Sequence, residues 1–121
     1  MNCILIVDDN AVIRRSLRAI FENEGWEVCG EAGNGQEGIT KAQELHPDLV
    51  VLDISMPVMN GMEAAPQLRR ILPGVPIVIF SVYADAIPEA DVAAAGITAV
   101  VPKADNVRSL VRIVKTLMQA A

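Results

Sequence analysis

Apolar and polar positions along this chain follow two different periods, and the changes of period mark its elements. Four short runs, at 4–7, 49–52, 77–80 and 100–101, hold only aliphatic, β-branched or aromatic residues. A run with no polar side to turn toward water reads as a strand covered on both faces, as in a parallel sheet. A fifth segment, 27–32, alternates more and carries Glu31, which marks it as an edge strand.

Between these runs the period lengthens to that of a helix. Ile13, Leu17, Ile20 and Phe21 share one face of a helix over 11–24, closed by Gly25. Ile39, Ala42 and Leu45 predict a second helix, ended by Pro47, and Ala65, Leu68 and Leu72 a third. The stretch 88–95 suits a short fourth helix, with Pro88 in its first turn and Gly96 just past its end. Leu110, Ile113, Val114 and Leu117 mark the last. Pro66 lies beyond the first turn of the third helix and should remove one backbone hydrogen bond there. Strand and helix thus alternate five times, which predicts a (βα)5 doubly wound parallel sheet with helices on both faces.

At 121 residues, 52% apolar and 21% charged, the chain is expected to form a single domain over 1–121 with a substantial core. A net charge of −5 gives no basic face for a phosphate backbone, and 3% aromatic residues give few stacking platforms, so nucleic-acid binding by this chain is not expected. The apolar run at 3–7 follows no basic stretch and stops at Asp8 and Asp9, unlike a signal peptide, and no run approaches membrane-spanning length. No membrane partner is expected. Cys3 and Cys29 have neither metal-knuckle nor redox-pair spacing, so they read as two reduced thiols in the interior and point to the cytoplasm.

In open α/β sheets ligands bind beyond the carboxyl ends of the strands. Here Asp8 and Asp9 end the first strand, Asp53 the third and Ser81 the fourth, and Lys103 follows the fifth, so these groups should meet on one rim. Carboxylates at close range repel, and a hard cation such as Mg²⁺ relieves the repulsion while keeping room for phosphate oxygens. Asp9 or Asn10 could instead cap the first helix, but capping gives no reason for Ser81 and Lys103 to join them. A fixed aspartate can act as a nucleophile toward phosphorus when a cation and hydrogen-bond donors stabilise the phosphoryl oxygens.

ILIVDDN at the first strand, PDLVVLDISMPVMNG around the third, IVIFS at the fourth and AAGITAVVPK at the fifth occur in order over essentially the whole chain. In this the sequence resembles the receiver domains of response regulators, the CheY-like domains of bacterial two-component systems. The resemblance implies a flavodoxin-like sheet of order 2-1-3-4-5, with Asp53 as phosphoacceptor in a signalling domain and not an enzyme. It implies Asp8, Asp9, Asp53 and the backbone carbonyl of Ser55 around Mg²⁺, with Asp9 a more direct ligand than Asp8, and Ser81 and Lys103 on the phosphoryl group. The implied partners are a sensor histidine kinase or phosphotransfer protein, with an output domain or a homodimer on phosphorylation. Lys103 followed by Ala104 leans toward receivers of NarL/FixJ-type helix-turn-helix regulators, whose output domain would lie beyond 121.

Several positions depart from the family pattern. Val100 stands where an aromatic ring commonly swings inward on activation, which shifts attention to the loop from Ser81 to Ala84 and to Tyr83 within it. Pro102 precedes Lys103 where the family commonly has a proline after it, and Val82 replaces a small residue. His46 reads as a surface residue, and Phe21 and Trp26 as packing groups near the opposite end of the sheet.

Three rival readings fit less well. A phosphohydrolase that forms an aspartyl phosphate would carry a second aspartate where Ser55 stands. A dinucleotide-binding protein would have a glycine-rich loop where Asp8, Asp9 and Asn10 stand. A receiver-like module that no longer takes phosphate would lack one of the acids.

Overall fold

A computed structural model describes residues 3–104 and 107–119. The strands are β1 (Cys3–Val7), β2 (Glu27–Ala32), β3 (Leu49–Leu52), β4 (Ile77–Ser81) and β5 (Ala99–Pro102). They alternate with α1 (Ala11–Asn23), α2 (Gly35–Leu45), α3 (Gly61–Ile71), α4 (Glu89–Ala94) and α5 (Val107–Gln119). All pairings are parallel, in the order β2-β1-β3-β4-β5, which is the expected doubly wound, flavodoxin-like arrangement.

The core lies in two layers because alternate residues of each strand face opposite ways. Leu5, Val7, Val50, Leu52, Ile77 and Ile79 pack against Ile39 and Ala42 of α2 and Ala64, Ala65 and Leu68 of α3. Ile4, Ile6, Leu49, Val51, Val78, Phe80 and Val101 face the other way, against Leu17 and Phe21 of α1 and Leu110 and Val114 of α5. With both faces covered, the sheet is rigid and its carboxyl-end rim becomes a fixed platform.

Helix ends are set by local chemistry. Asn10 caps α1 by accepting from the backbone N–H groups of Val12 and Ile13, which settles the choice between Asp9 and Asn10 and leaves Asp9 out of the cap. Asn60 and Glu63 form a reciprocal capping box at α3, and Pro66 lies inside that helix. His46 closes α2 in the left-handed conformation at φ 47°. The segment 84–86, not anticipated from sequence, forms a 3-10 turn that leads into Pro88 and α4. Phe21 and Trp26 stack obliquely, ring centroids 6.0 Å apart, near the amino end of β2.

The cysteine expectation is corrected. Cys3 and Cys29 are joined in a disulfide, with Cα atoms 5.4 Å apart, and are not two reduced thiols. The strand register shifts beside the disulfide: Ile4 pairs with Val28 but Leu5 with Gly30, so Cys29 has no strand partner. Simple alternation along β2 does not predict this.

The loop after β3 holds one strained residue. Val58 has φ 67° and is 82% exposed, and the N–H of Met59 donates to the carbonyl of Pro57 at 2.7 Å across it, closing a three-residue γ-turn. A β-branched side chain is disfavoured at positive φ. Val58→Gly is therefore expected to raise stability by roughly 0.5–1 kcal/mol, relief of strain outweighing the added freedom of the unfolded chain. In urea unfolding the midpoint should move up with an unchanged slope; a lower midpoint would mean that Val58 makes contacts that outweigh its strain.

Candidate functional site

Register alone brings the acidic residues together. Val7 pairs with Leu52, so the next residues, Asp8 and Asp53, leave neighbouring strands side by side, and the Asp53 N–H donates to the Val7 carbonyl at 2.9 Å. On the other side Ser81 pairs with Pro102, which carries Lys103 to the same rim. Asp8 and Asp53 are only 3% and 6% exposed, whereas Asp9 is exposed.

Each buried carboxylate is held at two points. Asp8 Oδ1 accepts from the Asn10 N–H at 2.9 Å, and its Oδ2 accepts from Lys103 Nζ at 2.8 Å. Asp53 Oδ1 accepts from the Ile54 N–H at 2.7 Å, and its Oδ2 accepts from the same ammonium at 3.0 Å. One cation is thus divided between two buried anions. Burial pushes the Asp8 carboxyl above its ordinary pKa, the bonds from Lys103 and Asn10 give back only part of this, and the Asp53 charge adds to the rise. Burial works against the Lys103 ammonium, but its bonds to Asp8 and Asp53 outweigh that and hold its pKa above the usual lysine value.

A lone ammonium leaves negative charge uncompensated, because Asp9 joins the cluster. One carboxylate oxygen from each of Asp8, Asp9 and Asp53 lies within 4.8 Å of the others. This donor set, all oxygen and open to solvent on the Asp9 side, fits a hard divalent cation that keeps part of its water shell.

Not every expected residue faces the cluster. Ser81 is fully buried, and its hydroxyl accepts from the Tyr83 N–H at 3.1 Å. Its link to Lys103 is through the backbone, the Lys103 N–H donating to the Ser81 carbonyl at 3.0 Å, and among the described residues its hydroxyl bonds to neither Asp53 nor the Lys103 ammonium. Ser55 is exposed in the loop after Asp53 and takes part in none of the hydrogen bonds of the cluster. Sequence reading also passed over Arg14. Its Nη1 donates to the Asp8 carbonyl at 2.6 Å and its Nε to Glu31 at 3.1 Å. The available signal was Glu31, which stood out only as the polar break in the edge strand.

Comparison with known proteins gives a consistent result. The family model described as "Response regulator receiver domain" matches residues 4–115. The chemotaxis protein CheY of Thermotoga maritima is 46% identical over 78 residues, which is 64% of this chain and 65% of that protein. Of two longer curated relatives the chain spans 36% and 39%, so it matches less than two thirds of the length of each of these three curated proteins. Among solved structures, a CheY-like receiver domain protein from Methanospirillum hungatei JF-1 superposes with TM-score 0.88 at 31% identity, covering 98% of this chain and 95% of that one. The response regulator protein TrrA from Thermotoga maritima, in complex with Mg²⁺ and BeF, gives 0.87 at 33%, covering 97% and 99%.

Proposed function

Because the chain belongs to the response regulator receiver domain family, we propose that Asp53 accepts a phosphoryl group from a phosphohistidine and that the altered rim changes what the domain binds. The observation that carries this reading is the Lys103 ammonium bonded at once to Asp8 and Asp53 beside the exposed Asp9. The cluster holds more anionic oxygen than its one ammonium balances, which suits it to a divalent cation and, with that cation bound, to an anionic phosphoryl group.

Mg²⁺ would be held by Asp8, Asp9, Asp53 and the backbone carbonyl of Ser55, and when bound it neutralises charge on the phosphoryl oxygens. The Ile54 N–H fixes Asp53 Oδ1, which leaves Oδ2 as the oxygen that bonds phosphorus. As that bond forms, the P–N bond of the phosphohistidine breaks and its electron pair stays with the imidazole nitrogen. Lys103 then exchanges a carboxylate oxygen for a phosphoryl oxygen, with no change in its own charge.

Ser81 would turn from the Tyr83 N–H to the phosphoryl group, releasing the start of the following loop. Tyr83 is 54% exposed and lines a cavity of about 460 Å³ with Ile54, Met62 and Ile87, which gives its ring somewhere to move. Val100, half-buried on β5, offers no ring for the same task.

The phosphoryl donor is a sensor histidine kinase or phosphotransfer protein, and the readout is an output domain or a homodimer. Residues 1–121 form one receiver unit, and Ala104 after Lys103 leans toward a helix-turn-helix regulator. The domain assists its own phosphorylation and dephosphorylation and turns over no other substrate. A cytoplasmic place follows from such a donor and no longer from the cysteines, since a disulfide does not speak for a reducing compartment. No helix among the described residues is long and apolar enough to cross a membrane.

Acetyl phosphate with Mg²⁺ should add one phosphate to the intact protein, measured by mass, and Asp53→Asn should remove that adduct. An adduct at the wild-type level in Asp53→Asn would overturn the assignment.

A further inference from the structure

The peptide group between Asp8 and Asp9 has a single hydrogen bond among the described residues, and it comes from a side chain. Asp8 is anchored upstream by its own N–H, which donates to Ala32 at 3.0 Å, and its carboxylate is anchored as described. Among the described residues its carbonyl accepts only from Arg14 Nη1, at 2.6 Å. That carbonyl lies in the plane whose orientation sets the direction in which Asp9 leaves the strand. A rotation of this plane would change the spacing between the carboxylates of Asp8 and Asp9 without moving β1.

The guanidinium is itself held. Arg14 Nε donates to Glu31 Oε1 at 3.1 Å, and the other Glu31 oxygen accepts from Arg18 Nε at 2.7 Å. Arg18 also donates to the Val28 carbonyl at 3.1 Å, so the edge strand and α1 are joined through one carboxylate. Burial works against the charge of Glu31, but Arg18 and then Arg14 hold its pKa below the ordinary value. The chain of contacts therefore runs from β2 through Glu31 and Arg14 to the backbone between two cluster residues. Arg14 has the planar fork that such a double contact needs.

We propose that Arg14, anchored by Glu31, is a positioning residue that fixes the Asp8–Asp9 peptide plane and thereby sets the affinity of the acidic cluster for a divalent cation. This inference rests on the metal-site reading above. Residues that orient metal ligands from outside the ligand shell commonly change affinity by about 10–100-fold when removed.

The test is Mg²⁺ titration of the full chain by calorimetry, with amide chemical shifts of Asp9 and Asn10 in the metal-free protein. Arg14→Ala is expected to weaken Mg²⁺ binding about tenfold and to shift the Asp9 amide before any metal is added. Arg14→Lys keeps one donor for the Asp8 carbonyl but loses the fork that also holds Glu31, so it should recover only part of the affinity and stay several-fold weaker than wild type. Glu31→Gln, which leaves Asp8 untouched, should weaken binding by an intermediate factor. Should Arg14→Ala fail to fold, the Lys and Gln variants carry the same comparison. Mg²⁺ affinity within twofold of wild type in the folded variants, with the Asp9 amide unmoved, would reduce Arg14 to a packing role and overturn the inference. A wild type that binds no Mg²⁺ would overturn the metal-site reading first and this inference with it.

Discussion

Replacing Lys103 with methionine is expected to lower the unfolding free energy by about 3 kcal/mol at neutral pH, since removing one partner of a buried ion pair leaves a charge unpaired. Here it leaves two. The Lys103 side chain is 13% exposed, with Asp8 and Asp53 at 4% and 7%, so water screens the remaining carboxylates poorly. The deficit should shrink as pH falls into the carboxylate range, where protonation removes the repulsion, and added Mg²⁺ should restore part of the loss. The alkaline side gives an independent check. A lysine pKa raised by folding contributes stability that is complete below its unfolded value and lost as pH rises through its folded value. Wild type should therefore lose stability above pH ~10.5, in a phase that Lys103→Met lacks. Chemical denaturation from pH 4 to 11 measures both effects. A neutral-pH loss under 1 kcal/mol would mean that the two carboxylates already share a proton or a cation.

Gly61→Ala should be nearly as costly, for steric reasons. A Cβ on Gly61 would fall on the Asp53 carbonyl oxygen, with the Asp53 carbonyl carbon and Ile54 Cα at 2.9 and 3.0 Å. All of these atoms are backbone, and the Gly61 N–H is meanwhile bonded to the Ile54 carbonyl at 2.9 Å, so the loop has no easy retreat. We expect a loss of about 3 kcal/mol, at the upper end for overpacking by one methyl group. Because the atoms displaced belong to Asp53 itself, labelling by acetyl phosphate should also slow by tenfold or more. Equal labelling rates together with a stability change under 1 kcal/mol would show that the loop yields freely and does not help to aim Asp53.

Much of this arrangement is legible in the sequence because the sheet is covered on both faces. A strand such as Leu49–Leu52 carries no polar residue until its chemistry begins, so the first aspartate after it marks the rim. The same logic placed Asp8, Asp9 and Lys103. What it could not place are side chains whose direction depends on a partner. Ser81 sits at the expected strand end, yet its hydroxyl faces the Tyr83 amide. Cys29 was misread because alternation assumes that every residue of β2 has an opposite number, and the bulge removes its own. The 84–86 turn has no apolar period to announce it, and α4 buries no residue completely.

The reach of the Lys103 contacts bears on how the molecule assembles. Its bonds close over 95 residues to Asp8 and 50 to Asp53, among the longest spans in the chain. Contacts so distant in sequence form late, because their loop entropy must be met before they return anything. Before β5 docks, a partly folded chain with β1 and β3 paired would hold two adjacent carboxylates without the Lys103 counter-charge. The final strand therefore completes the sheet and also relieves the repulsion at its centre. Divalent cations present during refolding would stand in for the missing lysine and should speed the steps that precede β5 docking more than the docking itself.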